Sequence, residues 1–271
     1  MDKQIAGTAA QWEEVVIAAV GRGLAQERVP KQTRSRDRHA EILNAAVRVF
    51  ARDGIARARI SDIADEAGVP LSSVYDYYAN KEEIAYVVPI ARMGEFLQEF
   101  ADKARQLVTA RERLYLFLWL TVDFARRNQD WARTLYLEVW PSVLVEKTRV
   151  KDSLDDYGRI LLTLIRDGER CVEWAPDSQL YQTVNIFIGS ISQLIITWLL
   201  YKKPRNLMKS TVPLVQRLLS MLSPAPSTVK AHPALSKSGL PLPPKRQKTQ
   251  RADANDMLVS AVEPHGPAGR G

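Results

Sequence analysis

The chain has 271 residues, of which 46% are hydrophobic, and a formal net charge of +7. This length predicts one large or two ordinary domains with a sizeable core. A single cysteine, Cys171, excludes an internal disulfide, and three scattered histidines lack the spacing of zinc ligands. The composition therefore predicts a protein of the reducing cytoplasm without a metal or cofactor, and its basic balance favours an anionic partner.

No segment of the chain is predicted to enter a membrane. The first residues lack the basic-then-apolar order of a signal peptide, and no run of 18 apolar residues occurs. The nearest approach, residues 184–200, is interrupted by five polar residues. We interpret it as a buried helix.

Apolar residues recur three and four positions apart, which predicts an all-α fold. Residues 1–32 form an N-terminal extension that is predicted to be helical, because six apolar residues share one helical face: Trp12, Val15, Val16, Ala19, Val20 and Leu24. Between residues 31 and 59, eight Lys or Arg outnumber three acids. Within this basic stretch, residues 42–50 have the spacing of an amphipathic helix that ends at Asp53-Gly54.

Two short helices around a glycine follow the basic helix. The first is predicted from about Ile60 to Ala67 and the second from about Leu71 to Tyr78, with a turn at Gly68. Ala64 is small where the second helix would cross the first, and Gly68 can adopt the left-handed conformation that redirects the chain. Val74 would be buried between the two helices.

The exposed face of the second helix carries mostly short hydrogen-bonding side chains: Leu71, Ser72, Ser73, Tyr75 and Tyr77. Such a face suits the major groove of DNA, which is about 12 Å wide. Lys81 and a basic arm that contains Arg36 and Arg38 would contact the phosphate backbone. The alternative is a purely structural helix pair, which is common in helical proteins.

The segment HAEILNAAVRVFARDGIARARISDIADEAGVPLSSVYDYYANKEEI resembles the DNA-binding domain of TetR-family transcriptional regulators. The residues that carry the resemblance are Ile42, Ala45, Phe50, Gly54, Ile63, Ala64, Ala67, Gly68, Val69, Tyr75, Tyr78, Asn80, Lys81 and Glu82. The resemblance implies a three-helix head over residues 33–84. It also implies a larger helical body over residues 85–222 that forms a homodimer and binds a small-molecule effector. The effector would relieve repression at a palindromic operator.

Carried over by position, the resemblance predicts these DNA contacts: Arg59, Ile60, Ser61, Leu71, Ser72, Ser73, Tyr75, Tyr77, Tyr78, Lys81, Arg36 and Arg38. Two residues depart from the family pattern. Arg59 stands where a threonine usually caps the first short helix, and a guanidinium cannot accept the amide hydrogen bond of a cap. Pro70 stands where a serine usually opens the recognition helix, which is tolerable because a first-turn proline gives up only an unpaired amide.

The body is predicted from its own pattern. A dimer interface is predicted on the last two helices at Phe187, Ile191, Ile195, Trp198, Leu214 and Leu218, although any of these could face its own core. Ile186 and Ile196 form a second apolar face. The predicted ligand-binding residues are Trp119, Trp131, Tyr136, Trp140, Asn185 and Gln193, for which ordinary core packing or buried hydrogen bonding is the alternative. Pro89 is predicted to bend the helix that joins head and body.

Residues 223–271 hold seven Lys or Arg against three acids and are rich in proline and serine, which predicts a disordered basic tail. The expected partners are double-stranded DNA, a second copy of the chain and an unknown effector. An architectural or weakly specific DNA-binding protein without a ligand remains an alternative. An enzyme is disfavoured because the sequence shows no glycine-rich phosphate loop, metal cluster or catalytic triad, so no catalytic residue is predicted.

Overall fold

The computed structural model describes residues 11–22, 33–142 and 150–222. The regular elements in these ranges are helices, which confirms the all-α prediction. Residues 11–22 form α1, and the others follow in this order: α2 (Thr33–Asp53), α3 (Ile60–Ala67), α4 (Leu71–Tyr75), α5 (Lys81–Ala104), α6 (Ala110–Arg127), α7 (Gln129–Arg133), a π-helical segment (Thr134–Val139), α8 (Val150–Arg170), α9 (Leu180–Tyr201) and α10 (Leu207–Ser220). The tail predicted over residues 223–271 lies outside the described residues.

Helices α2, α3 and α4 form a three-helix unit that we call the head, and α5 to α10 form the body. The apolar stripe of α2 is buried, with Ile42 and Val49 at 0% exposure. Helix α2 ends where Gly54 adopts a φ of +76°. Gly68, at +66°, turns the chain between α3 and α4 as predicted, and this turn lets Val74 pack into the core at 0% exposure.

Hydrogen bonds with neighbouring residues compensate for the two departures from the family pattern, Arg59 and Pro70. The Arg59 amide donates a hydrogen bond to the carboxylate of Asp62, the third residue of α3, at 3.0 Å. This is one of the two hydrogen bonds of a capping box, and it needs no acceptor on the Arg59 side chain. Pro70 precedes α4, and its carbonyl accepts the Ser73 amide at 2.9 Å. Helix α4 ends earlier than predicted because the Tyr77 amide bonds three residues back, to the Val74 carbonyl, and tightens the chain.

The body is built around α6, which packs against α5, α8, α9 and α10. Thr109 is the N-cap of α6, and its hydroxyl accepts a hydrogen bond from the Glu112 amide at 3.1 Å. Glycine often ends a helix, but Gly168 lies inside α8. There a Cβ would come within 1.9 Å of the Trp174 ring, so this glycine makes room for a buried tryptophan.

Helix α9 corrects the predicted dimer stripe. Phe187, Ile191 and Ile195 are at most 1% exposed, so they fill the protomer's own core. Leu218 of α10 is also buried, at 3%, whereas Trp198 and Leu214 are half-buried. The opposite face of α9 is the exposed one. Among the described residues, α9 alone is long and apolar enough to span a bilayer, and 39% of the relevant window is buried inside the protein.

The N-terminal extension is helical over residues 11–22, and α1 packs on the body. Trp12 and Val16 are 2% and 0% exposed, and the Trp12 ring meets Phe100 edge-on at 5.7 Å. The Arg22 guanidinium donates to both Asp156 carboxylate oxygens, at 3.0 and 2.6 Å. Of the predicted apolar face, Trp12, Val16 and Ala19 are buried, and Val15 and Val20 are half-buried. Leu24 lies outside the described residues.

Candidate DNA interface and effector cavity

The outer face of α4 exposes three of the predicted DNA contacts. Leu71 is 42% and Tyr75 53% exposed, and Ser72 between them is exposed as well. Because Leu71 and Tyr75 are four residues apart, they lie on one face of the helix. Arg59, just before α3, is also exposed. The exposed face of α4 offers hydroxyl groups and an apolar contact, and Arg59 offers an exposed cation at the start of α3. These are groups that bind phosphates and base edges.

Other predicted contacts point inward. Ser73 is 8% exposed beside the buried Val74, and Tyr78 is 4% exposed. The Tyr78 hydroxyl lies 2.6 Å from His39 Nε2 and is part of the head's interior. Tyr77 is half-buried, with its ring centre 5.4 Å from that of His39. Ser73 and Tyr78 are therefore corrected from DNA contacts to packing residues of the head.

The remaining candidates lie around the same helices. The Lys81 ammonium donates to the Ala56 and Ala58 carbonyls at 2.8 and 3.0 Å, so it fastens the α2–α3 turn with two of its three donors. Ile60 and Ser61 are half-buried at the start of α3. The predicted basic arm is instead helical, since α2 begins at Thr33. Arg38 is exposed on it, and the side chain of Arg36 lies outside the described residues.

Part of the basic charge of the head is neutralised internally. Arg48 and Arg52 both donate to the Glu66 carboxylate, at 2.6 and 3.3 Å. The hydrogen bond from Arg48 is the main cause of the lowered pKa of Glu66. These two arginines connect α2 to α3, so the large positive balance of residues 31–59 overstates the charge that is available to a partner.

The body contains a small cavity, with about 20 Å³ of space for the centre of a water-sized sphere. Its walls come from every body element from α5 to α9: Met93, Phe96, Thr121, Phe124, Trp131, Leu135, Tyr136, Trp140, Leu154, Tyr157 and Ser192. The structure brings together three predicted ligand residues here, Trp131, Tyr136 and Trp140. Helical periodicity could not identify the other eight, because it does not show which helices meet around a space.

Three predicted ligand residues do not line this cavity. Trp119 is half-buried elsewhere on α6. Asn185 and Gln193 are exposed on the outer face of α9, where the Gln193 amide donates to the Thr197 hydroxyl at 3.1 Å. Asn185 and Gln193 are polar because they lie on the surface of α9, and not because they form a binding site.

All the residues that line the cavity are uncharged. The Thr121 hydroxyl donates to the Phe117 carbonyl at 2.8 Å and lies 3.0 Å from the Tyr157 hydroxyl. Burial raises the pKa of Tyr136 and of Tyr157, so both phenols stay neutral. The buried Trp131 Nε1 has no hydrogen-bond partner among the described residues. The site therefore offers apolar walls and a few neutral polar groups, and a group of three or more metal-ligating side chains is absent from the described ranges.

A head with an exposed recognition helix, joined to a helical body, defines a DNA-binding regulator of the helix-turn-helix class. Two family models match the chain: bacterial regulatory proteins of the tetR family over residues 42–86, and the C-terminal region of YsiA-like proteins over residues 90–221. The chain belongs to the TetR family of transcriptional regulators. It is a DNA-binding regulator of transcription and not an enzyme.

Several relatives extend these matches. The fatty acid metabolism regulator protein of Bacillus subtilis is 25% identical over 185 residues, which are 68% of this chain and 95% of the relative. The crystal structure of FadR from B. subtilis in complex with stearoyl-CoA superimposes with a TM-score of 0.63 at 25% identity, covering 67% of this chain and 98% of that one. The repressor SCO4008 of Streptomyces coelicolor is 47% identical over 130 residues, 48% of this chain and 64% of the relative.

Proposed function

We propose that the protein is a homodimeric repressor that leaves a palindromic operator when a fatty acyl-CoA occupies the cavity of the body. The observation that carries this proposal is the uncharged cavity between α5 and α9. The B. subtilis relative supports the same class of effector, because it is described as a fatty acid metabolism regulator and was crystallised with stearoyl-CoA.

The lining of the cavity favours an acyl thioester over a free fatty acid. A carboxylate buried among Phe96, Phe124 and Leu135 would lose its hydration without gaining a cation, whereas a thioester carries no charge at its carbonyl. The cavity has only about 20 Å³ of space for the centre of a water-sized sphere, so an acyl chain can enter it only if the lining side chains move apart. The acyl chain would occupy this cavity and the charged coenzyme would remain outside it.

The proposed dimer uses the outer face of α9. Ile186 and Leu200 are 45% and 51% exposed on this face. Between them, Gly189 has no atom within 4 Å of an added Cβ, so a helix from a second protomer can approach closely. The half-buried Trp198 and Leu214 are the two residues of the predicted interface that remain partly accessible. A two-fold dimer would place one recognition helix on each half of a palindrome, and each helix would present Leu71, Ser72 and Tyr75.

The effector acts by shifting a population. A ligand that binds more tightly to the conformation with displaced heads lowers operator affinity by its differential affinity for the two conformations. The reciprocal effect is that operator DNA weakens effector binding by the same factor.

Intrinsic tryptophan fluorescence tests the effector, since Trp131 and Trp140 line the cavity. Stearoyl-CoA is expected to give a saturable change, coenzyme A alone none, and stearate a response only at much higher concentration. A Trp119→Phe variant, altered outside the cavity, should keep the stearoyl-CoA response. An equal response to coenzyme A and stearoyl-CoA would contradict the acyl chain as the recognised group.

A further inference from the structure

A π-helical turn lies between the cavity and the head. At its end the Trp140 amide donates at 2.8 Å to the carbonyl of Leu135, five residues earlier. Leu135 and Tyr136, near its start, line the cavity and are 1% and 7% exposed. Such turns are rare and are frequently found at functional sites.

The other end of the same segment contacts the head. The Glu138 carboxylate accepts a hydrogen bond from the Ile55 amide at 3.4 Å, and Ile55 belongs to the turn between α2 and α3. Gly54 approaches so closely that a Cβ there would lie 3.4 Å from Glu138 Oε1. One six-residue segment, Thr134–Val139, therefore contributes both to a wall of the cavity and to a contact with a turn of the DNA-binding head.

A small apolar cluster makes a second contact at the same place. Val139 is 1% exposed and packs with Ile90 of α5, apart from the main core. Ile55 of the head packs against this pair, and so does Leu154 of α8, which also lines the cavity. One cluster thus joins the cavity wall, the connecting helix and the head.

We propose that the π-helical segment is the relay through which an occupied cavity displaces the head, with Glu138 and Val139 positioning the α2–α3 turn. This inference rests on the proposed function, because it needs an effector in the cavity. An acyl chain that displaces Tyr136 changes the hydrogen-bond register of the segment. A change of one residue in register turns the residues that follow by about 100° around the helix axis, which withdraws Glu138 from Ile55.

The test separates coupling from binding. The relay variant Glu138→Ala/Val139→Ala is compared with wild type and with Asp130→Ala, which removes an exposed carboxylate of α7. For each protein, operator affinity is measured by fluorescence anisotropy without effector and with saturating stearoyl-CoA, and tryptophan fluorescence gives the affinity for stearoyl-CoA. The ratio of the two operator affinities is the coupling factor.

Wild type and Asp130→Ala are expected to show a coupling factor of roughly 5–150. The relay variant should bind stearoyl-CoA and the operator within about threefold of wild type, and its coupling factor should fall to about 2 or less. Ile55→Ala, which alters the same contact from the head, should reproduce that loss. This second variant keeps the test decisive if the double variant does not fold.

The outcomes distinguish the two proposals. The proposed function fails, and the relay fails with it, in either of two cases. In the first, the wild-type protein does not bind stearoyl-CoA. In the second, it binds stearoyl-CoA but does not release the operator. If wild type shows coupling, and either the relay variant or Ile55→Ala retains the full coupling factor, the relay is overturned and the proposed function stands.

Discussion

At the scale of single residues, two tyrosines of the recognition region have different environments. The Tyr75 side chain is 53% exposed, and the Tyr78 hydroxyl is buried 2.6 Å from His39. Tyr75→Phe is expected to weaken operator binding by roughly 10- to 150-fold, because a hydroxyl bonded to a phosphate contributes about 1.5–3 kcal/mol. The unfolding temperature should not change. Tyr78→Phe removes the same atom from the interior and should lower the unfolding temperature instead.

Anisotropy titrations and thermal unfolding of the two variants measure this contrast. Both variants lose one tyrosine hydroxyl group, so each is the control for the other. An unchanged operator affinity in Tyr75→Phe would show that the exposed face of α4 does not use this hydroxyl on DNA.

His39 is predicted to make the stability of the head depend on pH. Burial lowers the pKa of His39 from its ordinary value of 6.5. The unfolded chain then binds the proton more readily than the folded one, so the free energy of unfolding should fall as the pH drops below about 6.5 and should not depend on His39 above it. Thermal unfolding of the wild type and of His39→Gln between about pH 5 and 8 checks this. Below about pH 6.5, the unfolding temperature should fall more steeply for the wild type than for the variant. Identical pH profiles would contradict it.

Two helical glycines predict opposite effects of the same substitution. A Cβ at Gly168 would lie 1.9 Å from the Trp174 ring, whereas Gly94 in α5 has nothing within 4 Å. Gly168→Ala should destabilise the protein by about 1–3 kcal/mol or more, since the rigid indole must move. Gly94→Ala should stabilise it by about 0.5–1 kcal/mol through helix propensity. Denaturant unfolding measures both, and a neutral Gly168→Ala would show that the Trp174 ring has room to shift.

At the scale of elements, α5 connects the head to the body and contains Pro89 in its interior. A proline there removes one helical hydrogen bond, and the next residue, Ile90, belongs to the apolar cluster around Val139. Pro89→Ala is expected to stiffen α5 and to reduce the loss of operator affinity that stearoyl-CoA causes. Anisotropy titrations with and without stearoyl-CoA measure this loss, and an unchanged loss would exclude a hinge at Pro89.

The boundaries of several elements could be predicted because local chemistry sets them. Gly68 turns the chain, Thr109 caps α6 and Gly54 follows the end of α2, as their residue types indicate. The orientation of α9 could not be predicted. Both of its faces are apolar, and only the packing of Phe187 and Ile195 against the other helices makes one face internal. The cavity was only partly predictable, because aromatic residues between 115 and 140 occupy both the core and the cavity wall.

At the scale of the whole molecule, the proposed dimer depends on the exposed face of α9. Gly189→Arg places a long cation where a second helix would approach, so the variant is expected to be monomeric and to lose most of its operator affinity. Its stearoyl-CoA affinity should persist, because Gly189 is exposed and does not line the cavity. Val108→Arg is the matched control, since Val108 is 71% exposed in the loop before α6.

Light scattering coupled to size exclusion gives the mass of each variant. If Gly189→Arg remains a dimer with wild-type operator affinity, the outer face of α9 is not the interface.

The central claim is that an acyl-CoA in the body releases DNA from the head, and one titration tests it most directly. The 271-residue chain binds a labelled palindrome that was selected from the DNA of the source genome. Stearoyl-CoA is then added at fixed physiological ionic strength. The account predicts a preference of at least about 10³ over a scrambled duplex, and release by stearoyl-CoA but not by coenzyme A. Equal binding to both duplexes, or a complex that persists while stearoyl-CoA saturates the protein, would contradict it.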